Sequence, residues 1–363
     1  MRTLARRSFL ITWPCQLLLF AFLLLSGPLA FADQANVFVY HRFNDSRYPT
    51  TNISPQNFRA HLDLLHKQEF TVLKLGKVVD MLQKGESLPQ RCAVITVDDA
   101  YHSFLTDGWP LLKQYNYPAT LFVSTDTVGG GDYLSWQEIK ALQGEGVEIG
   151  NHSASHAYML DRLTAESDAD WRARVLEDIR RSQDAFEKYL GLPAKLFAFP
   201  YGEFSPELVS LIKNSGFTAA FGQQSGVITG EQDFFSLPRF PVGSAYTSLS
   251  EFRSKLFMKS LSVHIVSPDS TVIKGENPPK LRFYLSSKEV DSSSLRCFVP
   301  GPSDCLVKEV NGEDGLYEAV ALQPIVGRRS KYTLTASDVS GKSWYWFSQL
   351  WVRQIAGEGM VTD

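Results

Sequence analysis

Between residues 54 and 222 the chain alternates short apolar runs with amphipathic stretches, and that alternation leaves few folds open. The runs CAVITV (92–97), ATLFVS (119–124), VEIGNH (147–152), KLFAFP (195–200) and FTAAFG (217–222) have the length and apolar character of buried strands. The stretches at 54–68, 78–85, 108–116, 135–146, 171–191 and 205–216 carry helical spacing. Strand–helix units in series call for a parallel sheet, open or closed into a barrel. After Leu261 the texture changes. SVHIVSP, KLRFYLSS, LYEAVALQP, KYTLTAS and SWYWFSQLWV are strand-like and separated by turn residues, which predicts a small all-β, sandwich-like domain.

The first 32 residues are read separately. Arg2, Arg6 and Arg7 precede an apolar core, Leu17 to Leu25, and an Ala30-Phe31-Ala32 ending, so residues 1–32 are expected to be a signal peptide cut before Asp33. RRSFL (6–10) is compatible with twin-arginine export, and the very apolar core favours the Sec route. No other segment is long and apolar enough to span a bilayer. The mature chain is therefore expected to be exported, periplasmic or secreted, with residues 33–260 as one domain and 262–363 as a second. Of 36 basic residues, removal of those three arginines leaves 33 against 39 acidic ones, a formal charge of −6. That balance argues against a nucleic-acid partner. An oxidising compartment permits a Cys297–Cys305 disulfide, while Cys92, beside a strand, is expected to be a buried thiol.

Parallel α/β folds place functional groups at the C-terminal ends of their strands. Here those ends carry Tyr40-His41, Asp98-Asp99, the HSASH of residues 152–156, and Pro200-Tyr201. Adjacent aspartates repel each other unless something binds one of them. Asp99, His152 and His156 make a two-histidine, one-carboxylate set suited to zinc or another first-row divalent ion, such as cobalt, nickel or iron(II). The neighbouring aspartate then remains available as a base.

The order and spacing of these residues resemble the polysaccharide deacetylases of carbohydrate esterase family 4. Thr96-Val97-Asp98-Asp99 is similar to the family's T-F-D-D, His152-Ser153-Ala154-Ser155-His156 to its H-[ST]-x-x-H, and Ala198-Phe199-Pro200-Tyr201 to its R-x-P-Y. The resemblance covers about residues 36–245 and implies a distorted (β/α) barrel of about seven strands, a divalent metal, and removal of acetyl groups from a glycan. It makes Asp98 the general base, Asp99, His152 and His156 the metal ligands, and the Tyr201 backbone N–H part of an oxyanion site. The opening VFVYHRF (37–43) is similar to a permuted subgroup that includes the poly-β-1,6-N-acetylglucosamine deacetylases, in which the early histidine, here His41, is the general acid.

Three departures bear on that reading. Ala100 stands where glycine commonly follows the aspartate pair, a mild change if its dihedrals are ordinary. Ala198 replaces the third motif's arginine, and Arg239 is the candidate to orient Asp98 in its place. No late Leu-x-His motif is evident, and His264 is assigned a structural role. His41 is expected to be kept protonated by a neighbouring carboxylate, a role that favours amide over ester cleavage. The substrate is thus expected to be an acetylated polysaccharide, with an O-acetyl esterase or a non-catalytic glycan-binding protein as alternatives. The β domain is expected to serve docking, or contact with a matrix-export or cell-surface partner. Trp136 is a candidate for the groove, whereas Trp344 and Trp346, on one strand face, are assigned to packing or a sugar-binding face.

Overall fold

The computed structural model describes residues 31–286, 289–301 and 303–354; the expected signal peptide falls almost wholly outside them. Among the described residues the first sheet has nine strands, seven of them in its main path: β1 (Gln34–Tyr40), β2 (Cys92–Val97), β3 (Thr120–Val123), β4 (Glu148–Asn151), β5 (Leu196–Ala198), β6 (Ala219–Phe221) and β7 (Val227–Thr229). Their spatial order is β6-β5-β4-β3-β2-β1-β7. The pairs from β6 to β1 are parallel and β7 runs antiparallel to β1. Every residue of β2 is buried, as a central strand covered on both faces requires.

The sheet curls until residues 237–241 close it. The Leu237 N–H donates to Ala220 of β6 and the Leu237 carbonyl accepts from Gly222. Three residues further on, Phe240–Pro241 pairs in parallel with Phe38–Val39 of β1. Arg239 sits in the seam between them and is fully buried.

Among the described residues seven α-helices flank the sheet: α1 (Pro55–Lys67), α2 (Leu75–Gln83), α3 (Trp109–Gln114), α4 (Trp136–Gly144), α5 (Asp168–Leu190), α6 (Pro206–Lys213) and α7 (Leu249–Leu256). Ser54, Ser135, Ser167, Ser205 and Ser248 each accept an N–H of the first turn of α1, α4, α5, α6 and α7. Each cap satisfies an otherwise orphaned donor and is worth about 1 kcal/mol. In α1 the buried Phe58, His61, Leu62 and Leu65 recur at three- and four-residue spacing, so one stripe faces the sheet. Helix α5 starts at Asp168, three residues before the predicted Trp171, because its polar first turn lies outside the apolar pattern.

Residues 259–352 supply the second sheet. Its eight strands lie in the order 259–260, 344–352, 329–337, 296–298, 305–309, 316–321, 280–285 and 263–267. The sandwich-like expectation takes the form of one continuous sheet. Leu281, Phe283, Ala319, Leu334, Ala336 and Trp351, drawn from both of its halves, share one core. Cys297 and Cys305 face each other across neighbouring strands and are disulfide-bonded, with Cα atoms 5.2 Å apart. Cys92 is a free thiol, and burial pushes its pKa up to about 12. The β domain also joins the barrel: Val272, Leu350 and Val352 pack with Phe199, Phe204 and Leu208.

Candidate active site

Because β1 to β6 are parallel, the residues that follow them gather at one barrel mouth. His41 follows β1, Asp98 and Asp99 follow β2, His152 follows β4, and Tyr201 lies in the turn after β5. The mouth opens into a cleft of about 1520 Å³ whose lining includes His41, Asp99, His156 and Tyr201.

At its floor, Asp99 Oδ1 lies 3.4 Å from His152 Nε2 and 3.2 Å from His156 Nε2. The three candidate ligand atoms fall within 4.8 Å of one another, close enough to share one ion. His152 Nδ1 donates to the Ala198 carbonyl at 2.8 Å, which leaves Nε2 facing Asp99. A second hydrogen bond that fixes tautomer and ring orientation is what a metal-binding histidine needs. The donor set, two imidazoles and a carboxylate, fits a first-row divalent ion. Burial pushes the Asp99 carboxyl up, but hydrogen bonds from His152 and His156 outweigh it and hold the group well below the usual carboxylate range.

Asp98 is oriented differently. Arg239 grips it with both ends of the guanidinium: Nη1 lies 2.7 Å from Oδ1 and Nη2 2.8 Å from Oδ2. The same arginine donates to the Gly222 carbonyl and to Thr96 Oγ1, so its fork is fixed from three sides. Burial raises the Asp98 pKa, yet Arg239 and His152 more than offset it and keep the carboxyl below its ordinary value. Asp98 is therefore charged at neutral pH. The carbonyl of Ala198 orients His152, and Arg239 reaches Asp98 from the barrel seam.

The HSASH turn is held by groups the motif does not contain. Asp178, on α5, accepts the N–H groups of Ala154 and Ser155 at 2.7 and 3.1 Å. Asn151 Oδ1 accepts from Ser153 N, and Ser153 Oγ accepts from His156 N. These bonds hold Ser153 and His156 at left-handed φ values of 69° and 52°. Asp99, Ala100 and Tyr201 are also left-handed, at 72°, 57° and 58°. Ala100 thus departs from the ordinary dihedrals that would make its replacement of glycine mild. Each such residue costs about 1–2 kcal/mol, supplied by the surrounding packing. Gly202, at φ 72°, admits no Cβ: one placed there would lie 2.5 Å from the backbone N of Gln223. This close approach brings the Tyr201 turn against the segment after β6.

His41 is linked to Asp98 through Gln223. Gln223 Nε2 lies 3.5 Å from His41 Nε2 and 3.5 Å from Asp98 Oδ2. His41 Nδ1 is buried with no hydrogen-bond partner among the described residues. Burial lowers the His41 pKa; Asp99 and Asp98 pull it up, Arg239 and His152 push it down, and the net shift is downward. The expectation of a histidine kept protonated is therefore corrected: desolvation, with two nearby cationic groups, outweighs the carboxylates. Trp136 is also placed elsewhere than expected. It stacks on Tyr189 at 4.7 Å, packed against α5. The aromatic lining is instead tyrosine, including Tyr48, Tyr101, Tyr133, Tyr158 and Tyr246. His264 is an exposed residue of the β sheet.

Residues 85–220 match the profile of the polysaccharide deacetylase family. Over that span the chain is similar to the polysaccharide deacetylases. The matched span contains Asp98, Asp99, His152, His156 and Tyr201 and excludes His41 and Arg239. A poly-β-1,6-N-acetyl-D-glucosamine N-deacetylase of Staphylococcus aureus is 24% identical over 217 residues, covering 57% of this chain and 73% of the relative. Among solved structures, IcaB from Ammonifex degensii aligns with a TM-score of 0.55 at 24% identity, over 62% of this chain and 98% of that one. The Streptococcus pyogenes deacetylase PplD, solved with acetate, aligns at 0.55 and 17% identity, over 62% and 99%. At these identities the structural likeness shows a shared fold alone.

Proposed function

We propose that this protein is a metal-dependent hydrolase that removes N-acetyl groups from an extracytoplasmic polysaccharide of the N-acetylglucosamine type. The observation that carries this reading is a charged aspartate gripped by Arg239 directly beside a three-ligand cluster. Asp99, His152 and His156 would hold a divalent ion, zinc by preference. Bound there, the ion would supply positive charge to a water and to the acetyl carbonyl oxygen.

Asp98 is the general base: ionised and fixed by Arg239, it accepts the proton of the attacking water. The Tyr201 N–H, presented by a left-handed turn, is assigned to the developing oxyanion. His41 is assigned to the leaving nitrogen. Resting neutral, it would take up the proton that Asp98 has drawn from the water and deliver it to the nitrogen as the C–N bond breaks, and its lowered pKa makes it a stronger acid once charged. Amide cleavage depends on such a donor more than ester cleavage does, so the early histidine supports N-deacetylation.

The proposed organisation is a catalytic domain over 33–260 and an accessory domain over 262–363, exported after removal of residues 1–32. Among the described residues no helix is long and apolar enough to cross a membrane. The test is acetate release from β-1,6- and β-1,4-linked N-acetylglucosamine oligomers and from O-acetylated xylan. Release from the amide substrates, lost on chelation and restored by zinc, is expected. Release from the ester alone would make the protein an O-acetyl esterase, and release from neither would make it a non-catalytic glycan-binding protein.

A further inference from the structure

The β domain reaches into the barrel's mouth through two consecutive arginines at the start of the strand Arg329–Ser337. Arg328 makes four hydrogen bonds, two to Asp161 and two to Glu203, all of 2.8 to 2.9 Å. Asp161 lies five residues beyond His156, and Glu203 two beyond Tyr201. One guanidinium from the second domain therefore ties together the two loops that leave the candidate site. Its Cζ sits 3.9 Å from the Tyr158 ring centroid, and the Tyr201 ring stacks on Tyr158 at the same 3.9 Å. Two groups that close to one ring centre must occupy its opposite faces. Arg328, Tyr158 and Tyr201 thus form a continuous stack that ends against the His156 ring, 4.5 Å from Tyr201.

Arg329 takes the outer position. Its Nη1 donates to the Tyr201 carbonyl at 3.2 Å, its Cζ lies 5.0 Å from the Tyr201 ring, and it lines the cleft. About 40% of its side chain remains exposed. The cleft lining contains four acidic residues and four arginines, so their formal charges balance and give no positive surface for an anionic polymer. Three of those arginines are paired, Arg42 with Asp45, Arg174 with Glu166 and Arg181 with Asp126. Arg329's nearest carboxylate oxygen, on Glu203, is 3.9 Å away. A half-exposed planar guanidinium lining this cleft suits the hydroxyl and carbonyl oxygens of an uncharged sugar.

We propose that the β domain completes the substrate site, with Arg329 as a specificity residue that binds the sugar unit next to the one that reacts. Arg328 is a positioning residue that holds this arginine and both site loops in register. The inference rests on the deacetylase reading given above.

The test uses the full-length, metal-loaded protein and acetate release from the N-acetylglucosamine monomer and pentamer. Arg329→Ala should lower kcat/KM on the pentamer about ten- to a hundredfold, the loss expected of one charge-assisted hydrogen bond, chiefly through KM. The loss on the monomer, which has no adjacent unit, should be smaller. Arg329→Lys, which keeps the charge without the fork, should recover only part of it. Equal losses on both lengths would mean that Arg329 acts through the Tyr201 turn and would overturn the specificity role, as would no loss at all in an active protein. A wild-type chain that releases no acetate from either length overturns the deacetylase reading and this inference with it.

Discussion

Arg239 and Asp98 lie 141 residues apart in sequence and form a two-pronged ion pair with both side chains fully buried. Removing one member of such a pair strands the other charge, at a cost of about 3–5 kcal/mol. Arg239→Gln should therefore lower the melting temperature and turnover together. Asp98→Asn should lower turnover by about 10²–10⁴, the usual contribution of a positioned base. Thermal melts read beside acetate release check both. A fully active Asp98→Asn protein would remove the aspartate from the mechanism.

Replacing both His152 and His156 with alanine should abolish stoichiometric divalent metal and activity in parallel. Elemental analysis of the purified double variant is the measurement. Metal retained at one ion per chain would place the ion elsewhere.

His41→Ala should leave the metal content nearly intact and slow amide cleavage by about 10²–10⁴. Activated esters, whose leaving groups need no proton, should lose less. Loss of metal would make His41 a ligand, and wild-type amide turnover would reduce it to a structural residue.

His61 offers a pH test away from the metal cluster. Its Nε2 bonds the Thr247 carbonyl, its Nδ1 meets the Tyr40 hydroxyl, and its ring stacks on Phe252 at 4.0 Å. Burial pulls its pKa down to about 4, although hydrogen bonds to backbone carbonyls oppose the shift. A free histidine titrates near 6.5, so between those values the unfolded chain binds the extra proton. The stabilisation is fully present above pH 6.5 and is lost as pH falls toward 4, on the order of 3 kcal/mol. His61→Phe should be less stable at pH 7, for it loses both hydrogen bonds, but its stability should fall less steeply on acidification. Parallel slopes in denaturant titrations at several pH values would refute the assignment.

What the sequence made legible was chemistry carried by neighbours in the chain. Asp98-Asp99 and HSASH declare themselves because their members follow strand ends, and parallel pairing then brings those ends together. Arg239 was within reach of inference, since a missing arginine in one motif leaves an aspartate without a partner. Gln223, Asp178, Arg328 and Arg329 were not, because each acts on a residue that only tertiary packing brings near. Trp136 misled for the opposite reason: a tryptophan at a helix start resembles a sugar platform until α5 covers it. The resting charge of His41 depends on how completely water is excluded, which no local pattern records.

The seam at residues 237–241 sets an order of events during synthesis. A chain elongated only as far as β6 has an open sheet edge and a charged Asp98 with no arginine to meet it. Nascent barrels of that length expose pairing-competent strands and a solvent-hungry carboxylate, so they lack both closure and a base. Arg239 arrives with the same five residues that shut the barrel. Premature termination before that point should yield an aggregation-prone, inactive fragment, never a leaky hydrolase inside the cell that made it.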